Sequence, residues 1–246
     1  MLIPLVLAVL PGCEDSSAGT ETTMVFAAAS LTESFQELAK EFESEHPGTK
    51  IDLNFAGTPQ LVVQIREGAP VDVFASADEA NMQRIVDTGE TLSPPVLFAR
   101  NRLTIVTVKG NPKGIRGLAD LAREDVRVVL CGPEVPAGRY ARQALDKASV
   151  AVESLSDEPS VKAVVSKVHL AEVDAGVVYV TDATSAKDQV DSVAIADEHD
   201  VFGNYPIVLL GAGANRSGGE AFIAFVRSEA GQAILKRYGF QSPRAR

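Results

Sequence analysis

Four places in the 246-residue chain set hydroxyl, glycine or other small residues where a strand-like run gives way to a helical one. Ser30 follows Val25-Phe26-Ala27-Ala28-Ala29, and Gly57-Thr58 follows the run 50–56. Pro136-Ala137-Gly138 opens a third helical stretch, and Glu158-Pro159-Ser160-Val161 a fourth. At a helix N-terminus the first N–H groups have no intrahelical partner, and the helix dipole adds a fractional positive charge. A Ser or Thr hydroxyl supplies a neutral donor there, and small residues let a ligand approach the backbone. This is the chemistry of anion capture without a cation. Taken singly, each junction is an ordinary helix cap. Four of them, two in each half of the chain, form a candidate donor set.

Other residues invite a catalytic reading and carry it less well. Asp72 and Asp78 flank a strand end, where a pair of carboxylates could share a proton. The plainer expectation is that Asp78 caps the following helix and Asp72 meets a polar partner. Ser30 as a hydrolase or transferase nucleophile lacks the Gly-x-Ser-x-Gly elbow and an evident base. His46, His169 and His199 lie far apart without metal-ligand spacing. No glycine-rich phosphate loop appears. The basic residues Lys236, Arg237, Arg244 and Arg246 read as a solvated face and tail. A non-enzymatic binding protein is the expectation.

The elements that must position these junctions alternate strand and helix. Strands are expected over 23–29, 50–56 and 71–76, each leading into a helix; the first helix carries Leu31, Phe35, Leu38 and Phe42 at helical spacing. It stops at His46-Pro47-Gly48. The pattern restarts near Leu97, with strands over 103–108, 126–131, 173–179 and 193–196. Helices are expected from 139 to 147 and from 160 to 170, with a short turn at 117–121. A return strand at 205–210 and helices at 217–228 and 230–238 close the chain. The rhythm predicts an α/β protein of two lobes, each a mainly parallel sheet flanked by helices. Lobe 1 is expected to comprise 23–101 plus 203–246, and lobe 2 to comprise 102–202. Hinge crossings fall near 99–102 and 203–206. Ligands in such folds sit beyond the carboxyl ends of the strands, here the cleft.

Composition narrows the class. With 46% hydrophobic and 23% charged residues the chain is an ordinary folded protein. A net charge of -10 leaves no electrostatic footprint for nucleic acid or an anionic membrane surface. Residues 2–10 form an apolar run too short to span a bilayer, ending in Leu10-Pro11-Gly12-Cys13. It reads as a signal-peptide h-region before a lipoprotein processing box, with Pro11 a departure from that box. Cys13 is then the lipidated N-terminus, and 14–22 a polar tether. The alternative is a cleaved secretory peptide with an incidental Cys. Cys131 is left without a disulfide partner and reads as a buried thiol.

Several segments together carry a resemblance. Val25-Phe26-Ala27-Ala28-Ala29-Ser30-Leu31, Gly68-Ala69-Pro70-Val71-Asp72-Val73-Phe74-Ala75-Ser76-Ala77-Asp78 and Pro133-Glu134-Val135-Pro136-Ala137-Gly138 occur in that order. Ala175-Gly176-Val177-Val178-Tyr179 and Arg237-Tyr238-Gly239-Phe240 follow. The set, over 23–240, resembles the periplasmic molybdate-binding proteins of the type II solute-binding fold. The resemblance implies capture of molybdate or tungstate and delivery to the membrane permease of an ABC importer, with no cofactor, by a monomer. Sulfate or another tetrahedral oxyanion is the alternative ligand. The family's two hydroxyl-bearing residues fall on Ser30 and Thr58, its two backbone amides on Ala137 and Val161, and its tyrosine on Tyr179. The metal atom is held only through its oxygens. Threonine in place of the family's second serine keeps the hydroxyl and adds a methyl.

Overall fold

The computed structural model describes residues 21–243. The expected h-region, Cys13 and most of the tether lie outside the described residues, as do Arg244 and Arg246.

The first sheet is built on β1 (Glu21–Ala28), which pairs in parallel with β2 (Thr49–Ala56) and β3 (Val73–Ala75). From Met24 onward β1 is apolar on both faces because helices cover both, as a central parallel strand requires. On one face α1 (Thr32–Glu45) buries Phe35, Leu38 and Phe42. Burying a side chain of that size contributes roughly 1.5–3 kcal/mol. Phe35 meets Phe98 and Phe222 with ring centroids 5.8 and 6.0 Å apart, which ties α1 to α7 (Arg216–Arg227). α8 (Glu229–Arg237) follows α7. On the other face lies α2 (Thr58–Arg66), which packs with α3 (Glu79–Val86).

The two lobes of the fold are connected by two strands. β9 (Phe202–Leu209) runs antiparallel to β3 and to the first half of β4 (Val96–Val108). The second half of β4 pairs antiparallel with β7 (Ala175–Tyr179) and β8 (Val190–Ala194). β5 (Val128–Cys131) lies parallel to β7 and to the two-residue β6 (Asp157–Glu158). The strand order is β2-β1-β3-β9-β4-β7-β5-β6, with β8 branching from β4. Each half therefore repeats one plan: three parallel strands, then an antiparallel one that belongs to both halves of the chain path.

Three differences from the sequence reading have physical causes. β4 begins at Val96, not 103, because ladder bonds to β9 hold Arg100, Asn101 and Arg102 extended despite their polarity. The guanidinium of Arg100 lies over the Phe202 ring at 4.0 Å. α4 (Pro136–Lys147) begins at its proline rather than at 139, Pro being favourable at the first helical position. The six-residue α6 (Val180–Ser185) is too short to show a helical period and continues directly from β7. Helix α5 (Val161–His169) has Ser160 as its cap, accepting from the Ala163 N–H at 3.3 Å.

Candidate functional site

Ser30, Thr58, Ala137, Val161 and Tyr179 all line a single cavity between the two lobes. Its volume is about 20 Å³, above the roughly 10–15 Å³ that one water needs. Its walls also include Ala28, Ala29, Gly57, Ala77 and Ser160, and every lining residue is uncharged. The lobes touch over it. A Cβ built on Gly57 would lie 2.0 Å from the carbonyl oxygen of Pro159, so glycine is required there for the walls to meet.

Three helix N-termini converge on this space. Thr58 is the first residue of α2, Ala137 the second of α4 and Val161 the first of α5. N–H groups at those positions have no intrahelical acceptor, and no hydrogen bond among the described residues uses the amides of Ala137 or Val161. α4 can start so close to β5 because of Gly138, whose Cβ would meet the Gly132 and Cys131 carbonyl oxygens at 2.2 and 2.3 Å. The buried Tyr179 hydroxyl lies near that of Tyr205 but makes no hydrogen bond of normal geometry. Burial, then the neighbouring Tyr205, raises its pKa well above the usual phenol range. It is therefore a neutral O–H, a donor without a partner. The Ser30 hydroxyl, also buried, is 2.9 Å from the Tyr205 oxygen.

Charged groups stand behind this lining and bridge the lobes. Lys162 on α5 reaches Glu33 on α1 at 2.7 Å and Asp182 on α6 at 3.5 Å. Arg84 on α3 pairs with Glu134 at 2.7 Å, and Arg139 on α4 with Asp78. Asp182 is buried, accepts from the Tyr179 N–H at 3.3 Å and has its pKa raised to about 6. Burial causes the rise; Lys162 opposes it and Glu33 adds to it.

The catalytic candidates take structural places. Asp72 accepts from the N–H groups of Met24 and Asn215, each at 2.7 Å. Asp78 caps α3 through the Asn81 N–H at 2.9 Å. The His46 ring stacks on Phe42, and no cluster of three metal-ligating side chains forms among the described residues. Cys131 is buried, and burial drives its thiol pKa up. Sequence reasoning missed Tyr205, Asn101 and Thr181. Asn101 donates to Thr181 Oγ1 at 2.9 Å and lies 3.5 Å from the Tyr205 oxygen. Nothing in a strand read as apolar and returning marks Tyr205 as a neighbour of Ser30.

Residues 23–241 match the family of bacterial extracellular solute-binding proteins. The chain belongs to that family. A molybdate-binding protein of Mycobacterium tuberculosis is 38% identical over 225 residues, covering 92% of this chain and 86% of that one. A putative ABC transporter substrate-binding lipoprotein of Bacillus subtilis is 30% identical, with 93% and 92% covered. The substrate-binding domain of a putative molybdenum ABC transporter from Clostridium difficile superimposes with a TM-score of 0.68 at 26% identity. It covers 91% of this solute-binding protein and 99% of its own chain. Among the described residues no helix is long and apolar enough to cross a membrane.

Proposed function

We propose that this solute-binding protein captures molybdate or tungstate in the interlobe cavity and delivers it to the membrane permease of an ABC importer. One observation carries the reading. The cavity is lined by neutral donors from both lobes, the buried Tyr179 hydroxyl among them without a partner, and by no charged side chain. An unprotonated tetrahedral dianion presents only acceptors, and fixed N–H and O–H dipoles satisfy it without a counter-ion. A protonated ligand such as hydrogen phosphate needs an acceptor as well, and no carboxylate lines the space. The hydroxyls of Ser30, Thr58 and Tyr179 and the amides of Ala137 and Val161 are the ligand's partners. The names of the relatives favour molybdenum oxyanions over sulfate.

Lobe 1 comprises 23–101 plus 203–246, and lobe 2 comprises 102–202. The lobes open about the paired segment in which Ala99 faces Tyr205 and Asn101 faces Gly203. Closure completes the donor shell and presents both lobes to the permease. The protein acts as a monomer, without enzymatic activity or cofactor, held at the cell surface through a lipid on Cys13.

Calorimetric titration of ligand-stripped protein, beginning after Cys13, with molybdate, tungstate, sulfate and phosphate tests the reading. Submicromolar molybdate and tungstate binding with no sulfate heat is the expected outcome. Tight sulfate binding would move the assignment to another tetrahedral oxyanion, and binding of none would remove it.

A further inference from the structure

We infer that Tyr205 fixes the proton of Ser30 and so commits that hydroxyl as a donor to the bound oxyanion. The inference rests on the proposed oxyanion reading of the cavity. Tyr205 does not line the cavity and acts only through Ser30. Its side chain is fully buried, with ring centroids of Phe240, Tyr179 and Phe98 at 5.4, 5.7 and 6.3 Å, all edge-on. The ring has one place to be, and its oxygen is held against Ser30 Oγ at 2.9 Å.

Two hydroxyls at that distance can order their protons in either sense. The surroundings choose. The backbone N–H of Arg102 donates to Asn101 Oδ1 at 3.0 Å, and a backbone N–H can only donate. That contact fixes the amide with its oxygen toward Arg102 and its nitrogen toward Thr181 Oγ1 and the Tyr205 oxygen. An amide nitrogen also only donates. The phenol oxygen thus faces a donor in Asn101 at 3.5 Å, which favours sending its own proton to Ser30, the partner at 2.9 Å. With one lone pair of Ser30 occupied from behind, the serine proton is left pointing to the cavity. Such a chain of bonds also polarises the terminal O–H, strengthening it as a donor.

The chain runs Arg102 N–H, Asn101, Tyr205, Ser30, and its middle members sit on β4 and β9 where the two strands connect the lobes. The branch to Thr181 reaches α6, two residues beyond Tyr179. Orientation of the Ser30 donor is thus tied to the paired strands that would flex on opening. The two tyrosines have separate roles. Tyr179 offers its hydroxyl to the ligand, and Tyr205 is a positioning residue.

A double-mutant cycle on the full chain tests this, with molybdate affinity measured for wild type, Tyr205→Phe, Ser30→Ala and the double variant. Tyr205→Phe keeps the ring and its packing, and is expected to weaken molybdate binding about five- to tenfold. In the Ser30→Ala background the same change should alter affinity less than about twofold, since no serine proton remains to be positioned. Equal losses in both backgrounds would show a purely structural role and overturn the inference. If Tyr205→Phe fails to fold, Asn101→Ala, which removes the donor that sets the phenol's polarity, is put through the same cycle. The loss should again vanish without Ser30, and its persistence would overturn the inference. Wild type that binds no molybdate, tungstate or sulfate would overturn the site reading itself, a result separable from an additive cycle in a protein that binds.

Discussion

The wall of the cavity contributed by the first lobe and the wall contributed by the second are chemically unlike. The first offers side-chain hydroxyls, Ser30 after β1 and Thr58 at the start of α2. The second offers backbone N–H groups at the starts of α4 and α5, together with the Tyr179 hydroxyl. A hydroxyl can be removed by one substitution and needs a neighbour to orient it, as Tyr205 does for Ser30. A backbone amide survives any side-chain change except proline, and the helix orients it. The first wall can be tuned by mutation. The second sets a rigid frame whose spacing decides which anion fits.

The largest expected effect falls where the walls meet. Gly57→Ala puts a methyl 2.0 Å from the Pro159 carbonyl oxygen and holds the lobes apart. Molybdate affinity should fall about 100-fold, while the unfolding midpoint of ligand-free protein stays near wild type. A drop in both together would mean that the contact serves folding rather than closure.

Next comes the contrast itself. Ser30→Ala is expected to weaken binding roughly 10- to 100-fold, the range for losing a hydrogen bond to a charged group. Ala137→Gly keeps the N–H and should change affinity less than about fivefold, any loss coming from helix propensity. Titration calorimetry on both variants checks it, and similar losses would erase the distinction between the walls.

A third prediction compares two buried carboxyls. At Asp174 burial pushes the pKa up, but hydrogen bonds from the Arg127 side chain and backbone outweigh it and hold the carboxyl low. That contribution to stability is present at neutral pH and is lost as pH falls through the lowered pKa. Asp182 behaves in the opposite sense. Its pKa is raised to about 6, so its proton favours the folded state. Its contribution is full below about pH 4 and is lost as pH rises through about 6. Asp182→Asn should therefore gain stability relative to wild type at pH 7.5 by up to about 3 kcal/mol and gain none at pH 4. Denaturant titrations at the two pH values decide it.

The smallest effect is expected at the half-buried interlobe bridge. Glu33→Gln removes the interlobe partner of Lys162, leaving it only Asp182 of its own lobe, and should weaken molybdate binding about two- to fivefold at low salt. The difference should disappear near 1 M salt, where screening is nearly complete.

Much of this architecture was legible because the central strands β3, β5 and β7 are buried on two faces and read as apolar runs. Ser30, Thr58, Ala137, Val161 and Tyr179 could be picked out by their junctions and by resemblance, and the fold brings them to one cavity. What could not be read was any contact set by the crossing of β4 and β9. Tyr205 lies 175 positions from Ser30, and the approach of Gly57 to Pro159 depends on how the lobes close. Such contacts leave no local period or spacing. The short α6 escaped for a different reason, since six residues cannot display helical amphipathicity.

The most direct measurement is a crystal structure of the full chain loaded with molybdate. The account predicts the anion in this cavity, its oxygens about 2.7–3.2 Å from the hydroxyls of Ser30, Thr58 and Tyr179 and the amides of Ala137 and Val161, with no Lys or Arg in contact. An anion seated against a lysine or arginine, or bound outside the cavity, would contradict it.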